Sequence, residues 1–164
     1  WGYKDPRIAL LSVGAETVKG NRQVRETAEL FSKSDLNFIG NIEANDIFSE
    51  KADVVVCDGF VGNIVMKLTE GMGQAIADHL KVRLTGKLQD ADMRQITSEI
   101  FELNNPLETF GGAPLFGVNG VSVIGHGRSK ANAVRLAIKT AKETVENNFI
   151  TKLNEELSQL DEQT

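Results

Sequence analysis

Apolar residues run almost unbroken from Arg7 to Val13 and stop at Gly14. A run this short, with no polar alternation, predicts a strand buried on both faces, as in parallel sheets. The spacing then changes to three and four. Val24, Ala28 and Phe31 share one face with Thr27 and Leu30 beside them, which predicts a helix. A second short strand is expected from Asn37 to Ile42, interrupted by Gly40. After about ten residues, near the minimum for a crossover, a third is expected from Ala52 to Cys57.

Asp58-Gly59-Phe60-Val61-Gly62-Asn63 turns that strand into a long helix with an apolar stripe of Ile64, Leu68, Met72, Ile76 and Leu80. Gly71 and Gly73 weaken its middle, each by about 1 kcal/mol relative to Ala. Thr85-Gly86-Lys87 breaks the pattern, and Met93, Ile96, Ile100 and Leu103 mark a second helix, so 74–105 reads as a helical hairpin. The stretch Gly111 to Gly117 is too rich in Gly and Pro for a central strand. Val121 to Ile124 reads as the last strand, leading into Gly125-His126-Gly127-Arg128-Ser129. Ala131, Val134, Ile138, Ala141, Val145 and Phe149 mark a closing helix, and residues 150–164 form a helical tail. Strands alternating with helices predict an α/β fold with a mostly parallel sheet.

Composition narrows the classes. With 41% hydrophobic and 25% charged residues, the 164-residue chain is globular, enough for one domain or half of a larger enzyme. A net charge of −5 speaks against nucleic acid as a partner. The single Cys57 excludes an internal disulfide and fits a reducing cytoplasm. No apolar run approaches the roughly 20 residues of a membrane-spanning helix. The polar start, Trp1 to Pro6, is unlike a signal peptide, and Trp1 in place of Met reads as the start of an excerpt from a longer product.

Three Gly-rich turns fall at expected strand ends: Val13-Gly14, Asp58 to Asn63, and Gly125 to Ser129. In parallel sheets ligands bind beyond the carboxyl ends of strands, and glycine lets backbone N–H groups approach an anion. An oxyanion or phosphate site is one reading. The other is that these glycines only turn the chain, with Asn63 or Ser129 as helix N-caps and Asp58 as a cap or brace. His126, between two glycines, is a catalytic candidate or a loop residue. Cys57 reads as a small core residue. There is no dinucleotide fingerprint, complete phosphate loop, Gly-x-Ser-x-Gly elbow or metal-ligand spacing of Cys and His.

Five stretches carry a closer likeness: Pro6 to Gly14, Leu36 to Asn41, Ala52 to Asn63 (ADVVVCDGFVGN), Gly111 to Gly117 (GGAPLFG) and His126-Gly127. In this order they resemble the bacterial PlsX family, the phosphate acyltransferases of phospholipid synthesis, over its C-terminal half. Where that family follows His-Gly with Ser, this chain has Arg128 before Ser129. The resemblance implies that 1–164 is the C-terminal part of an acyltransferase domain. It implies a three-layer α/β/α fold akin to isocitrate and isopropylmalate dehydrogenases, used without a nicotinamide. It also implies transfer of an acyl group from acyl carrier protein to inorganic phosphate, no cofactor or metal, and a cytoplasmic homodimer built partly on the hairpin. Peripheral membrane contact would come from residues 80–88, where Leu80, Val82, Leu84 and Leu88 interleave with Lys81, Arg83 and Lys87.

On this reading Asn63 and His126 are catalytic. Gly14, Asp58, Gly59, Gly62, Gly125, Gly127 and Arg128 hold phosphate or the oxyanion. Two other readings stay open: a non-catalytic fragment that dimerises and binds carrier protein or membrane, and a coenzyme A-dependent phosphotransacetylase.

Overall fold

The computed structural model describes residues 3–105, 111–125, 127, 129 and 131–161. The chain forms two compact units, Trp1–Val65 and Met66–Thr164. The first contains strands β1 (Ile8–Leu11), β2 (Phe38–Ile42) and β3 (Val54–Val56), and helix α1 (Arg22–Ser32). Helix α2 (Gly59–Leu84) starts in this unit and ends in the second. The second unit also holds α3 (Asp90–Leu103), the two-residue strands β4 (Ala113–Pro114) and β5 (Val123–Ile124), α4 (Ala131–Glu146) and α5 (Phe149–Asp161).

The three strands of the first unit are parallel in the order β2-β1-β3. β1 is therefore central, and its near-continuous apolar run is explained: Ala9 is 0% and Leu10 3% exposed. Arg7 and Asp53 clamp the start of the sheet. The Arg7 guanidinium donates through Nε and Nη2 to the two carboxylate oxygens, both at 2.9 Å; Arg7 N–H also donates to Asp53 Oδ2, and Asp53 N–H donates to the Arg7 carbonyl. This pair aligns β1 with β3 and holds the Asp53 carboxyl down to about 2. Between β1 and β2 the register slips by one residue, since Ile8 pairs with Phe38 and Ala9 with Gly40. The extra residue, Ile39, is accommodated because Gly40 adopts φ +96°, which a side chain would resist. Helix α1 packs on β1 and β2. Phe31 meets Phe38 edge-on at 5.5 Å, and Asn21 caps the helix by accepting from Val24 N–H.

In the second unit α3 returns so closely that a Cβ on Gly73 would lie 2.5 Å from Asn104 Cβ. Gly73 thus costs helix propensity and gains close approach. Gly111, outside any helix, likewise allows close approach to α4, where an added Cβ would lie 2.2 Å from Ala137 N.

Several expectations are revised. Val123–Ile124 does not extend the parallel sheet. It pairs antiparallel with Ala113–Pro114, and Pro114, lacking an N–H, suits only such a short ribbon. The closing helix does not run to Phe149. It ends at Glu146, and Asn148 takes a left-handed φ of +51° before α5 begins. The apolar stripe read on α2 is largely exposed, with Ile64, Leu68, Met72 and Ile76 between 45% and 59% accessible. What α2 buries is the small pair Gly73 and Ala77. On α4, Val134, Ile138 and Val145 are likewise exposed. Among the described residues no helix is long and apolar enough to cross a membrane.

Candidate functional site

After β1 the chain passes through α1 to β2 on one side, then crosses to β3 on the other. The carboxyl ends of β1 and β3 therefore flank a topological switch point, where open α/β sheets bind ligands. A cavity of about 330 Å³ lies there. β1 and its end contribute Leu10 to Val13, β3 and its end contribute Val56 to Asp58, and α2 contributes Val61 and Val65. The entry of α1 closes it with Gly20, Asn21, Gln23, Val24 and Thr27. No Lys, Arg, His or aromatic residue is among its described lining residues.

The turn from β3 into α2 is organised by Asp58. Its Oδ1 accepts from the N–H groups of Phe60 and Val61, both at 2.9 Å, and its carbonyl accepts from Gly62 N–H. This is an N-cap with a negative charge on the positive end of a 26-residue helix. An anion arriving at this turn meets donors already engaged by a carboxylate; Gly59 N–H is the first-turn donor that Asp58 leaves aside. Asn63 lies inside α2 and is not its N-cap. It is exposed, and its side chain bonds to no other described residue.

The turn glycines differ in purpose. Gly14 is buried under its own loop, and a Cβ there would lie 2.7 Å from Glu16 Oε2. Asn41, itself buried, pins that loop by donating to Glu16 O at 3.1 Å. At Gly62 a Cβ would sit 3.1 Å from Cys57 Sγ. At Gly59 and Gly127 a Cβ meets nothing within 4 Å, and at Gly125 only ordinary contacts. Glycine at 59 and 127 therefore has no packing reason in the first and second units respectively.

Cys57 is exposed on the cavity and not a core residue. Desolvation, and then the Asp58 charge, push its thiol pKa up, which makes it a poor nucleophile at neutral pH. In the second unit, His126 and Arg128 lie outside the described residues. Ser129 stands two residues before α4 with its hydroxyl buried and without a hydrogen bond to a described residue, so it does not act as the expected cap. Ser12 Oγ, at the end of β1, is buried and unpaired in the same sense. No group of His, Cys, Asp and Glu that could hold a metal occurs among the described residues.

Sequence reasoning found both ends of the β3 turn but missed the α1 side of the cavity: Asn21, Gln23, Val24 and Thr27. Their placement depends on strand order, for which periodicity carries no signal.

The profile of the family described as fatty acid synthesis protein matches residues 1–152. The chain is 46% identical over 163 residues to the phosphate acyltransferase of Thermodesulfovibrio yellowstonii, covering 97% of this chain and 47% of that protein. It is 44% identical over 161 residues to the phosphate acyltransferase of Desulfitobacterium hafniense, covering 95% and 48%. For that of Dictyoglomus thermophilum the identity is 40% over 164 residues, covering 98% and 49%. The chain spans about half the length of these curated relatives. It belongs to the fatty acid synthesis protein family, among the PlsX phosphate acyltransferases.

Proposed function

We propose that this chain is the C-terminal part of an enzyme that transfers a fatty acyl group from acyl carrier protein to inorganic phosphate. The observation that carries the reading is the cavity at the β1/β3 switch point, in a chain 46% identical to a phosphate acyltransferase. In the reaction a phosphate oxygen attacks the thioester carbonyl. The C–O bond forms, the C–S bond breaks, and the departing thiolate takes up a proton to leave as the carrier thiol. Phosphate is nucleophilic at neutral pH, so the protein needs to position it and stabilise the tetrahedral oxyanion.

Asn63 donates its exposed amide to the oxyanion or phosphate, with Gly59 N–H beside it. Asp58 acts through the shape of that turn, and Gly14 and Gly62 through close packing. His126 supplies the hydrogen bond or proton at the thiolate, and Arg128 with the backbone of Gly125 and Gly127 supplies positive potential for phosphate. At Gly59 and Gly127 the space open around the Cα among the described residues leaves room for a ligand, which supports this reading. No step calls for a cofactor.

In the whole protein the sheet has helices on both faces, a three-layer arrangement. The exposed apolar stripe of α2 supports a face covered by the rest of the protein or by a second copy in a homodimer. Exposed Val82 and Leu88, next to Lys81, Arg83 and Lys87, support shallow contact with anionic lipid in the cytoplasm.

The test is turnover of acyl carrier thioester with phosphate by the protein as the cell makes it. His126→Ala and Asn63→Ala should each lower kcat by about 10²–10³. Changes below severalfold in both would remove these assignments.

A further inference from the structure

We propose that the cavity between the ends of β1 and β3 holds the fatty acyl chain, and not the phosphate; this rests on the acyltransferase reading above. Charge decides the occupant. Among its described residues the lining has no Lys, Arg or His to balance a phosphate, and its charged side chain there is the Asp58 carboxylate. The Asp58 oxygen that faces the helix start is already engaged by Phe60 and Val61 N–H. A phosphate placed here would meet like charge and uncompensated desolvation.

Shape and chemistry agree with an aliphatic guest. Leu10, Leu11, Val24, Val56, Val61 and Val65 form the apolar wall. With no aromatic residue among the described lining residues, they offer no platform on which a planar base would stack. At about 330 Å³ the cavity is of a size to take part of an aliphatic chain. The rest of the chain would extend beyond it. The reacting carbonyl then lies at the polar lip, where Cys57 and Asp58 lead into α2.

Two measurements on the natural protein test this. The first uses Cys57, which lines the cavity, as a reporter. Maleimide alkylation of the Cys57 peptide is followed by mass spectrometry at mildly alkaline pH. Dodecanoate, or a dodecanoyl carrier thioester, should slow it about tenfold at a saturation of about 90%, whereas inorganic phosphate alone should leave it unchanged. Protection by the thioester alone would assign the cavity to the bound substrate and not to free fatty acid. Protection by phosphate alone, or protection by none, would overturn the proposal.

The second narrows the cavity by Val24→Phe or Val65→Phe. The kcat/KM for hexadecanoyl carrier should fall by about tenfold or more relative to octanoyl carrier. An equal fall for both chains, or no fall, overturns the acyl assignment while leaving phosphate acyltransfer in place. If the unsubstituted protein protects Cys57 with dodecanoate but transfers no acyl group to phosphate, the cavity stands and the functional reading fails. Should the Phe variants not fold, the Cys57 measurement decides alone.

Discussion

The turn from β3 into α2 and the turn ahead of α4 look alike in sequence, since both set glycines between a valine-rich strand and a helix. They differ in what already occupies them. Asp58 caps the first through two N–H bonds, and Cys57 packs against Gly62. The second has a buried Ser129 hydroxyl with no partner, and open space around Gly127, among the described residues. The first also borders an apolar cavity with no cation among its described lining residues, while the second carries Arg128 in its sequence. A glycine-rich turn is therefore an anion site only where the protein has left its donors unspent.

The largest effect should separate glycines required by the fold from glycines left open. Gly111 adopts φ +80° and has no room for a Cβ against the α4 backbone. Gly111→Ala should cost about 3 kcal/mol or more, or prevent folding, as read by thermal or urea unfolding. Gly127→Ala and Gly59→Ala should leave the midpoint within about 0.5 kcal/mol while lowering turnover. Unchanged turnover in both would return these positions to simple chain reversal.

Next comes the cap. Asp58→Ala should destabilise by about 1 kcal/mol, as for other N-cap losses. Asp58→Asn, which keeps an acceptor oxygen, should recover most of that. If Asp58→Asn also raised affinity for phosphate, measured as a lower KM, the carboxylate would be acting as an electrostatic guard at this turn.

Much of the first unit was legible in advance because a central parallel strand must be apolar on both faces, as β1 is. The bulge was foreshadowed by Gly40, whose positive φ has a direct residue signature. The stripe on α2 misled for a physical reason. Periodicity reports which residues share a face, not whether this chain supplies the partner surface. Of the candidate site, the Asp58 turn was readable from its spacing. The cavity was not, because it depends on β3 crossing to the far side of β1.

A smaller, pH-dependent effect tests whether the cavity walls are held by the Arg7–Asp53 clamp. The folded Asp53 carboxyl is held at about 2, below the unfolded value of about 3.9, because Arg7 donates to it. Its contribution to stability is thus fully present above about pH 4 and is lost as pH falls through about 2. Asp53→Asn should lower the melting temperature at pH 7, and the gap from the unsubstituted protein should close near pH 2. A gap independent of pH would assign the loss to packing.

The smallest effects draw the sharpest line between the two turns. Ser12 and Ser129 each bury a hydroxyl without a partner among the described residues, one beside the cavity and one in the second Gly-rich turn. An unpaired buried hydroxyl carries its desolvation cost with no bond to offset it, so removing it is neutral or stabilising by up to about 1 kcal/mol. Ser12→Ala should follow that rule in both unfolding and turnover, because an apolar acyl chain asks nothing of a hydroxyl. Ser129→Ala should follow it in unfolding but lose severalfold in kcat/KM for phosphate, through a higher KM, if that hydroxyl is held for the anion. Equal behaviour of the two variants in turnover would erase the distinction drawn between an apolar pocket and a polar turn.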